Sequence, residues 1–591
     1  MLLKYVDSEF LFMTLFAGAY CLDPRGDIPR LLKESLRLNL RSVSDSRGSL
    51  HLYDQQRMFL VKWDSGAFKE SAWEVAEDGS LSTLVGDPLL TNSGIRLSRK
   101  MQLSKLIHLN GGFCNAVLKQ TRGSFSAVRY ETKTQILSIS TDMIGLRPVY
   151  YTMQDGILIF ASALRVLESM SCVRKKLSIP GMVELGVFGF PLAERTPYEA
   201  ISVLRESEIL NTTAAGIELS AYHDWTVSAA VSNSPIAAAN ALFAEFQESI
   251  RIRVNSDRRV YAFLSGGMDS RAIVSSLMQL GCTVEALNFS PDASQDQAYA
   301  RSFAEVTGSS CHLNCFPRDD DPNFSLLALK AKTILEQAKC VVVDRTACVW
   351  SGDGGSVGLG HVYMDEVMLD YADRGDLNAA LGQFFIYNRL TLPLKVLSTG
   401  ARQALPKMIT TNVLSELNRY PRADLGRRIY LFLLFNDQRR HLFKHFESID
   451  QHGLEFLLPF YDAQFLKMVA DTPSRWGVFH NLYARWFDHL PVDARSTPWQ
   501  TYPGHQPCPI TGDSSLSYQW SSRSQPAKAG FKSRLHLSSE LLKESCRTSL
   551  PEIFSRSRIG LAAFLNVTAL RDCSHILKML LNFRHCGENV N

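Results

Sequence analysis

The chain has 591 residues, of which 46% are hydrophobic and 21% are charged, and its formal net charge is +4. This composition predicts a globular protein of about two to four domains, which excludes wholesale disorder, and the charge is too small to indicate a nucleic-acid partner. The longest apolar run near the start, residues 10–22, is shorter than the ~20 apolar residues of a membrane span and is interpreted as a buried strand. Twelve scattered cysteines do not resemble a disulfide framework, which favours a reducing, cytoplasmic setting.

Residues 1–225 alternate short apolar runs with turn residues, the pattern of β structure. Apolar runs such as 136–139 and 157–160 predict strands, and the spacing at 28–38 predicts a helix. We therefore expect layered β structure with a few helices in this part of the chain.

The pattern changes near residue 235. Helical spacing at 237–251 precedes a short apolar run at 260–264 and a second helical segment at 272–280. A further strand at 284–289 and a helix at 297–306 follow. Strand, loop, helix, strand and helix at this spacing predict a parallel α/β sheet, and helical segments continue to about residue 490.

The composition changes again from about residue 511. Serines crowd residues 514–524, which predicts a linker or loop. The tail from residue 527 has ten Lys or Arg against five Asp or Glu, with apolar stretches that indicate helices. A solvated helical face is the favoured interpretation, and a basic partner-binding arm is the alternative. The predicted domains are 1–225, 226–510 and 511–591.

A glycine-rich loop stands between the predicted strand at 260–264 and the helix after it. Ser265, Gly266 and Gly267 allow a tight turn and let an anion approach the backbone N–H groups. Ser270 lies at the helix start, where the N–H groups favour phosphate, and Asp269 offers a carboxylate for Mg²⁺ bound to phosphate. The alternative is a structural turn with a capping Asp or Ser. The predicted nucleotide-binding residues, including one from a later segment, are Leu264, Ser265, Gly266, Gly267, Asp269, Ser270 and Gly352.

Residues 265–270 resemble the pyrophosphate loop of N-type ATP pyrophosphatases, above all the synthetase domain of asparagine synthetases. β-Lactam synthetases and lasso-peptide cyclases are relatives of that domain. Residues 351–355 resemble the Ser-Gly-(Asp/Glu)-Gly segment of the family, and residues 454–462 its Leu-Glu-x-x-x-Pro-Phe-x-Asp segment. Upstream, residues 142–151 resemble its Asp-x-x-Gly-x-x-Pro-Leu-Tyr-Tyr segment. The resemblance covers roughly residues 10–505.

The resemblance implies an α/β and α+β fold with an N-terminal layered αββα domain of the Ntn type. A parallel-sheet ATP-pyrophosphatase domain with many helices would follow it. It also implies a reaction in which a carboxylate is adenylated by ATP with Mg²⁺, pyrophosphate leaves, and an amine then attacks. Asp353 and Glu455 align with acidic positions of the family's active site and are the acid/base candidates. The alternatives are that Asp353 is a turn residue and that Glu455 is a buried ion-pair partner. Asp462 is expected to cap or orient structure.

Two departures affect the synthetase motifs. The family continues its Ser-Gly-Asp-Gly segment with Asp-Glu, whose Asp binds Mg²⁺, whereas this chain has Ser356 and Val357. Asp269 would then hold the metal alone or with Asp365 or Glu366. The family also has a late lysine that is absent from residues 496–503, although Arg485 still resembles a family arginine.

A third departure affects the N-terminal part. Class II amidotransferases use an N-terminal cysteine as nucleophile, but residue 2 is Leu2 and the first cysteine is Cys21. We therefore expect no glutaminase activity and a structural role for this part of the chain.

The sequence thus predicts an ATP-dependent carboxylate–amine ligase similar to asparagine synthase. An amide ligase or cyclase acting on a peptide, sugar or specialised metabolite is one alternative, and a non-catalytic ATP-binding scaffold is another. The expected partners are small-molecule carboxylate and amine substrates, with a second copy of the chain or an ammonia-supplying protein left open. Nucleic acid and membrane are not expected as partners.

Overall fold

The fold is that of a computed structural model, which describes most of the chain. The described residues are 14–40, 49–68, 70–108, 111–226, 232–255, 257–290, 292–313, 333–334, 347–447, 454–513, 515–516, 518, 531–547 and 550–590. Across this part of the chain, no helix combines the length and the apolar character that crossing a bilayer requires.

The N-terminal part is built from short strands joined by turns, with few helices, as the sequence predicts. Its strands are β1 (Leu15–Cys21), β2 (Ser49–Asp54), β3 (Met58–Asp64), β4 (Trp73–Val75), β5 (Leu81–Gly86), β6 (Thr91–Asn92), β7 (Ile95–Arg96), β8 (Phe125–Glu131), β9 (Ile136–Thr141), β10 (Tyr150–Gln154), β11 (Ile157–Ala161), β12 (Ser202–Val203), β13 (Glu208–Thr213) and β14 (Gly216–Ala221). Its helices are α1 (Arg30–Leu40), α2 (Arg99–Leu106), α3 (Asn115–Leu118), α4 (Leu164–Glu168) and α5 (Ile179–Phe188).

Two six-stranded antiparallel sheets pack face to face in this part. One has the order β12-β10-β11-β1-β3-β2 and the other β14-β13-β9-β8-β5-β4. Phe16, Leu60 and Phe160 of the first sheet share one buried apolar cluster with Val128 and Leu210 of the second. Strand β1 is buried along its whole length, which confirms the strand predicted in the apolar run near the start.

The second part is a parallel sheet with helices. It consists of α6 (Pro235–Val254), β15 (Arg259–Phe263), α7 (Met268–Gln279), β16 (Thr283–Asn288), α8 (Gln295–Thr307), β17 (Ser310–Leu313), β18 (Ala347–Trp350) and β19 (Leu454–Leu457). The strand order is β17-β16-β15-β18-β19, and every neighbouring pair is parallel. The order reverses between β15 and β18, and ligands of open α/β sheets bind beyond the carboxyl ends of the strands at such a point. The predicted fold class is confirmed.

Further helices cover the segment between β18 and β19 and the region after β19. They are α9 (Glu366–Asp373), α10 (Leu377–Tyr387), α11 (Thr399–Leu417), α12 (Leu425–Phe432), α13 (Arg439–Glu447), α14 (Ala463–Ala470), α15 (Ser474–Gly477), α16 (Asn481–Phe487) and α17 (Val492–Arg495). Two π-helical segments, Gly355–Leu359 and Leu433–Gln438, interrupt this series, and short π segments are frequent at functional sites.

The C-terminal extension is helical and contacts both preceding parts. Its helices are α18 (Phe531–Cys546), α19 (Arg556–Val567) and α20 (Ser574–Glu588). Asn589, just after α20, donates to the Tyr198 hydroxyl at 3.2 Å, and the Ser555 N–H donates to the carbonyl of Val396 at 2.8 Å. Most of the predicted serine-rich linker, residues 514–524, lies outside the described residues.

Candidate active site

The loop between β15 and α7 closes on itself through its two serines. The Ser265 N–H donates to the Ser270 hydroxyl at 2.9 Å, and the two hydroxyl oxygens lie 2.9 Å apart. The loop is also tied to the neighbouring strand, because the Leu264 N–H donates to the carbonyl of Leu287 at 2.9 Å. Helix α7 begins at Met268, so the unpaired N–H groups of its first turn face the end of β15. This arrangement fits an anion at the helix start.

Asp296 fixes the turn of this loop, a role that sequence reasoning missed. Its Oδ1 accepts from the Gly266 N–H at 2.7 Å, and a Cβ on Gly266 would lie 2.7 Å from the Asp296 Cα. Residue 266 must therefore be glycine at this close approach. Burial raises the pKa of Asp296, while hydrogen bonds from Ser290 and Gly266 favour its charged form. An acidic residue in the first turn of α8 was the available signal.

A second loop, after β18, lies against the first. A Cβ on Gly352 would be 2.7 Å from the Ser270 nitrogen, so the two backbones touch there. Asp353 follows, half-buried, and its Oδ2 accepts from the Ser351 hydroxyl at 2.8 Å. The structure thus brings together the predicted residues of both loops, although their roles stay predictions.

Asp269 is a half-buried carboxylate at this junction. Its Oδ2 accepts from the N–H of Ser356 at 3.0 Å and from the Ser356 hydroxyl at 2.9 Å, and its Oδ1 accepts from the Tyr483 hydroxyl. Burial raises the pKa of Asp269 to about 6, the Tyr483 and Ser356 hydrogen bonds limit the rise, and the charge of Asp353 adds to it. Asp269 therefore changes protonation state close to neutral pH.

A magnesium ion at this point could use one protein carboxylate, that of Asp269. Within the described residues, no group of three or more His, Cys, Asp or Glu side chains could hold a metal ion. Asp365 caps α9 by accepting from the Met368 N–H at 2.7 Å, and Glu366 is exposed. Mg²⁺ is commonly held by one or two carboxylates with substrate phosphates and water, and that is the set Asp269 could complete.

Tyr461 joins the second loop to the π-helical segment Leu433–Gln438. Its hydroxyl donates to Gln438 Oε1 at 2.6 Å, and a Cβ on Gly354 would lie 2.6 Å from its ring. Burial raises the pKa of Tyr461 well above its ordinary value, and the charge of Asp353 raises it further. The phenol is therefore a neutral donor beside Asp353.

Glu455 lies on β19 and faces the N-terminal part. It is fully buried and forms an ion pair with Arg147, whose guanidinium also stacks 4.1 Å from the Phe446 ring centroid. Burial raises the pKa of Glu455, and Arg147 opposes the rise. Arg147 also lines a small pocket between the two parts, which reaches Tyr461. This geometry is that of the alternative in which Glu455 is a buried ion-pair partner. The catalytic role of Glu455 stays a prediction.

Asp462 caps structure, as expected. Its side chain accepts from the Gln464 N–H at 3.1 Å at the start of α14, and it pairs with Arg253 at 2.8 Å.

Comparisons with known proteins match both parts of the chain. A family described as "Glutamine amidotransferase domain" matches residues 96–223, and one described as "Asparagine synthase" matches residues 241–330. An asparagine synthetase (glutamine-hydrolyzing) 3 of Bacillus subtilis is 23% identical over 256 residues, which are 40% of this chain and 40% of that protein. The chain is thus similar to the asparagine synthetase family over parts of its length.

Two further members of this family are similar over parts of their length. A putative asparagine synthetase (glutamine-hydrolyzing) 2 of Methanocaldococcus jannaschii is 27% identical over 168 residues, which cover 27% of this chain and 32% of that protein. The asparagine synthetase (glutamine-hydrolyzing) of Mesocricetus auratus is 20% identical over 314 residues, which cover 48% of this chain and 54% of that protein. The matches thus span about one third to one half of these relatives.

The N-terminal part of the chain has no thiol at the described start of β1. Thr14 precedes β1, and its hydroxyl donates to Asp64 Oδ1 at 3.3 Å, while Asp64 pairs with the buried Lys62 at 3.1 Å. Cys21 lies at the opposite end of β1 and is buried. Leu2 lies outside the described residues.

Two cations of α13, Arg439 and Arg440, contact the N-terminal part of the chain. Arg439 donates to the carbonyl of Leu204 at 3.0 Å, and Arg440 donates to that of Arg195 at 2.9 Å, both in the N-terminal part. Arg485 is exposed on α16.

Proposed function

We propose that this chain is an asparagine synthetase-like, AMP-forming carboxylate–amine ligase that works without glutaminase activity. The observation that carries the proposal is the backbone contact between the two loops at Gly352 and Ser270. It places Asp353 beside Asp269 at the start of α7, where phosphate groups are expected to bind.

Each loop has a separate task in this proposal. ATP would supply the adenylyl group that activates the substrate carboxylate, and Asp269 would hold a Mg²⁺ ion that offsets charge on the phosphate oxygens. The N–H groups of the first turn of α7 orient the phosphates, and Asp296 keeps Gly266 in its turn. Leaving pyrophosphate gains charge, which donors fixed in advance stabilise.

Asp353 is the proposed base for the amine. An ammonium ion or a protonated amine must lose a proton before its nitrogen attacks the activated carboxyl carbon. The Asp353 carboxylate takes that proton, the C–N bond forms, and AMP leaves with the electrons of the broken C–O bond. The Ser351 hydroxyl, 2.8 Å away, orients the carboxylate, and the neighbouring Tyr461 phenol, which donates to Gln438, stays neutral.

The proposed nitrogen source is free ammonia or another amine. Thr14 and the Lys62–Asp64 pair lie at the start of β1, and neither offers the thiol that glutamine hydrolysis uses in class II amidotransferases. We also propose a cytoplasmic setting for the protein. Its proposed partner is a second copy of the chain or a protein that supplies ammonia. In the alternative form of this proposal, the protein is an amide ligase or cyclase. It would then act on a larger amine or acid that belongs to a peptide, sugar or metabolite.

One observation favours a second candidate, a non-catalytic ATP-binding scaffold. Both oxygens of Asp269 already accept hydrogen bonds from Ser356 and Tyr483, so a metal ion must compete with protein donors. The deciding experiment measures pyrophosphate and AMP release from ATP and Mg²⁺ with aspartate, using ammonia or glutamine. Release with ammonia alone, with asparagine formed, supports the ligase. ATP binding without release across a panel of acids and amines supports the scaffold.

A further inference from the structure

Arg271 is a fully buried cation in the first turn of α7, directly after the nucleotide loop. Its guanidinium donates to the backbone carbonyl of Thr497 at 3.1 Å, that of Ala494 at 3.3 Å and that of Pro498 at 2.9 Å. We call residues 494–500 the strap. Arg271 therefore holds the strap by its backbone and not by side-chain charges.

The strap also contacts the nucleotide loop from its other end. The Gln500 N–H donates to the carbonyl of Gly266 at 2.8 Å. Between the two attachments, the Trp499 ring centroid lies 5.7 Å from the Arg271 guanidinium and 5.1 Å from the Phe487 ring. Loop, helix start and strap are thus one hydrogen-bonded unit.

The charge of Arg271 is not balanced by a carboxylate in the described part of the chain. Its polar contacts are carbonyl oxygens and the Thr497 hydroxyl, whereas the buried Arg253 pairs with Asp462 at 2.8 Å. Burial lowers the pKa of Arg271 to about 10, which leaves the side chain charged at neutral pH. A positive charge at the helix start adds to the attraction that its N–H groups exert on phosphate.

We propose that Arg271 is a positioning residue that couples the strap to the nucleotide loop, so that the phosphates of a nucleoside triphosphate bind both as one preformed unit. This inference rests on the proposed function only for the identity of the ligand. The strap overlaps the segment in which the family lysine is absent. Arg271, which belongs to α7, supplies a buried cation to the strap.

Two measurements on the full chain test the coupling. Calorimetry measures the dissociation constant of α,β-methylene ATP with Mg²⁺, and limited trypsin digestion measures cleavage after Arg495, inside the strap. The Arg271→Gln substitution is expected to weaken nucleotide binding about tenfold. Cleavage after Arg495 is expected to become faster by about the same factor or more. Arg271→Lys, which keeps the charge but loses the planar fork, is expected to fall between Arg271→Gln and the original chain. Arg475→Gln, at an exposed ion pair, is the matched control and should change neither value.

A backbone test covers the case in which Arg271→Gln does not fold. Gln500→Pro removes the N–H that reaches Gly266, and Gln500→Ala keeps it. A tenfold loss of nucleotide affinity in the proline variant alone supports the coupling, and equal affinities overturn it. Unchanged binding and cleavage in a folded Arg271→Gln variant also overturn it.

The digestion separates this inference from the proposed function, because it needs neither nucleotide nor turnover. A chain that releases no pyrophosphate, yet gains strap cleavage on Arg271→Gln, contradicts the ligase and supports the coupling. A chain whose pyrophosphate release and strap cleavage are both unaffected by Arg271→Gln retains the ligase and loses the coupling.

Discussion

Ser356 donates two hydrogen bonds to the same carboxylate oxygen of Asp269, from its N–H at 3.0 Å and from its hydroxyl at 2.9 Å. In the family pattern an aspartate stands at this position and shares the metal. Here a neutral donor faces Asp269 in place of a second negative charge. The contact therefore stabilises the charged form of Asp269 and leaves it without a second carboxylate at position 356.

The pH dependence of ATP use should reflect this contact. Asp269 must be ionised to hold a cation, and its pKa is raised to about 6, so kcat/KM for ATP should fall as the pH drops below about 6. Ser356→Ala removes one donor to the charged form, which raises the pKa and moves the midpoint upward by about half to one pH unit. Pyrophosphate release measured from pH 5 to pH 9 gives both midpoints. Identical midpoints would contradict the assignment.

Removal of the Asp269 carboxylate should abolish ATP-dependent pyrophosphate release. Asp269→Ala removes the carboxylate that is proposed to hold Mg²⁺, whereas Tyr483→Phe keeps it and removes one donor to Oδ1. The alanine variant should be inactive at any Mg²⁺ concentration, and the phenylalanine variant should retain measurable release. Unchanged release in Asp269→Ala would remove Asp269 from metal binding.

Substitution of Asp353 should separate nucleotide binding from amide formation. Asp353→Asn keeps the shape of the side chain but cannot accept a proton, so amide formation should fall by about 10²- to 10⁴-fold. Calorimetry should show that ATP affinity changes little. Ser351→Ala, which removes the 2.8 Å hydrogen bond to Asp353, should give a smaller loss. Equal turnover in Asp353→Asn and the original chain would exclude Asp353 as the base.

The two interpretations of Glu455 predict different double variants. Glu455→Gln leaves the buried Arg147 without a charged partner and should destabilise the fold by about 3–5 kcal/mol. Replacing both residues, with Glu455→Leu and Arg147→Met, removes both charges and should recover most of the free energy of unfolding in urea. If the stable double variant still releases pyrophosphate and forms amide, Glu455 is structural. A stable but inactive double variant would assign it a role in the reaction.

Cys21 should be dispensable for nitrogen transfer. Because it is buried at the far end of β1, Cys21→Ser should leave ammonia-dependent synthesis unchanged. Glutamine should support no synthesis in either form, as measured by glutamate release. Glutamate formation that disappears in Cys21→Ser would show a thiol-dependent glutaminase and overturn the proposal.

Local sequence determined much of the fold, because the relevant interactions are close along the chain. The apolar run that becomes β1 and the strand–loop–helix pattern around Ser265 to Ser270 follow from side-chain periodicity and turn chemistry. The layered N-terminal sheets and the parallel sheet were predictable for the same reason. The resemblance to the asparagine synthetase family was evident from the order of the motifs, since each motif is a short contiguous segment.

Contacts between distant segments were decided only by the tertiary structure. Ser356 and Asp269 are 87 residues apart, and Arg147 and Glu455 are 308 apart. Arg271 lies more than 220 residues from the strap carbonyls that it holds. No periodicity records which buried donor meets which buried acceptor, because burial forces each polar group to find a partner wherever the packed chain supplies one. The sequence therefore predicted which residues are candidates for the chemistry, and the packing decided which of the polar residues accept hydrogen bonds, form ion pairs or contact the strap.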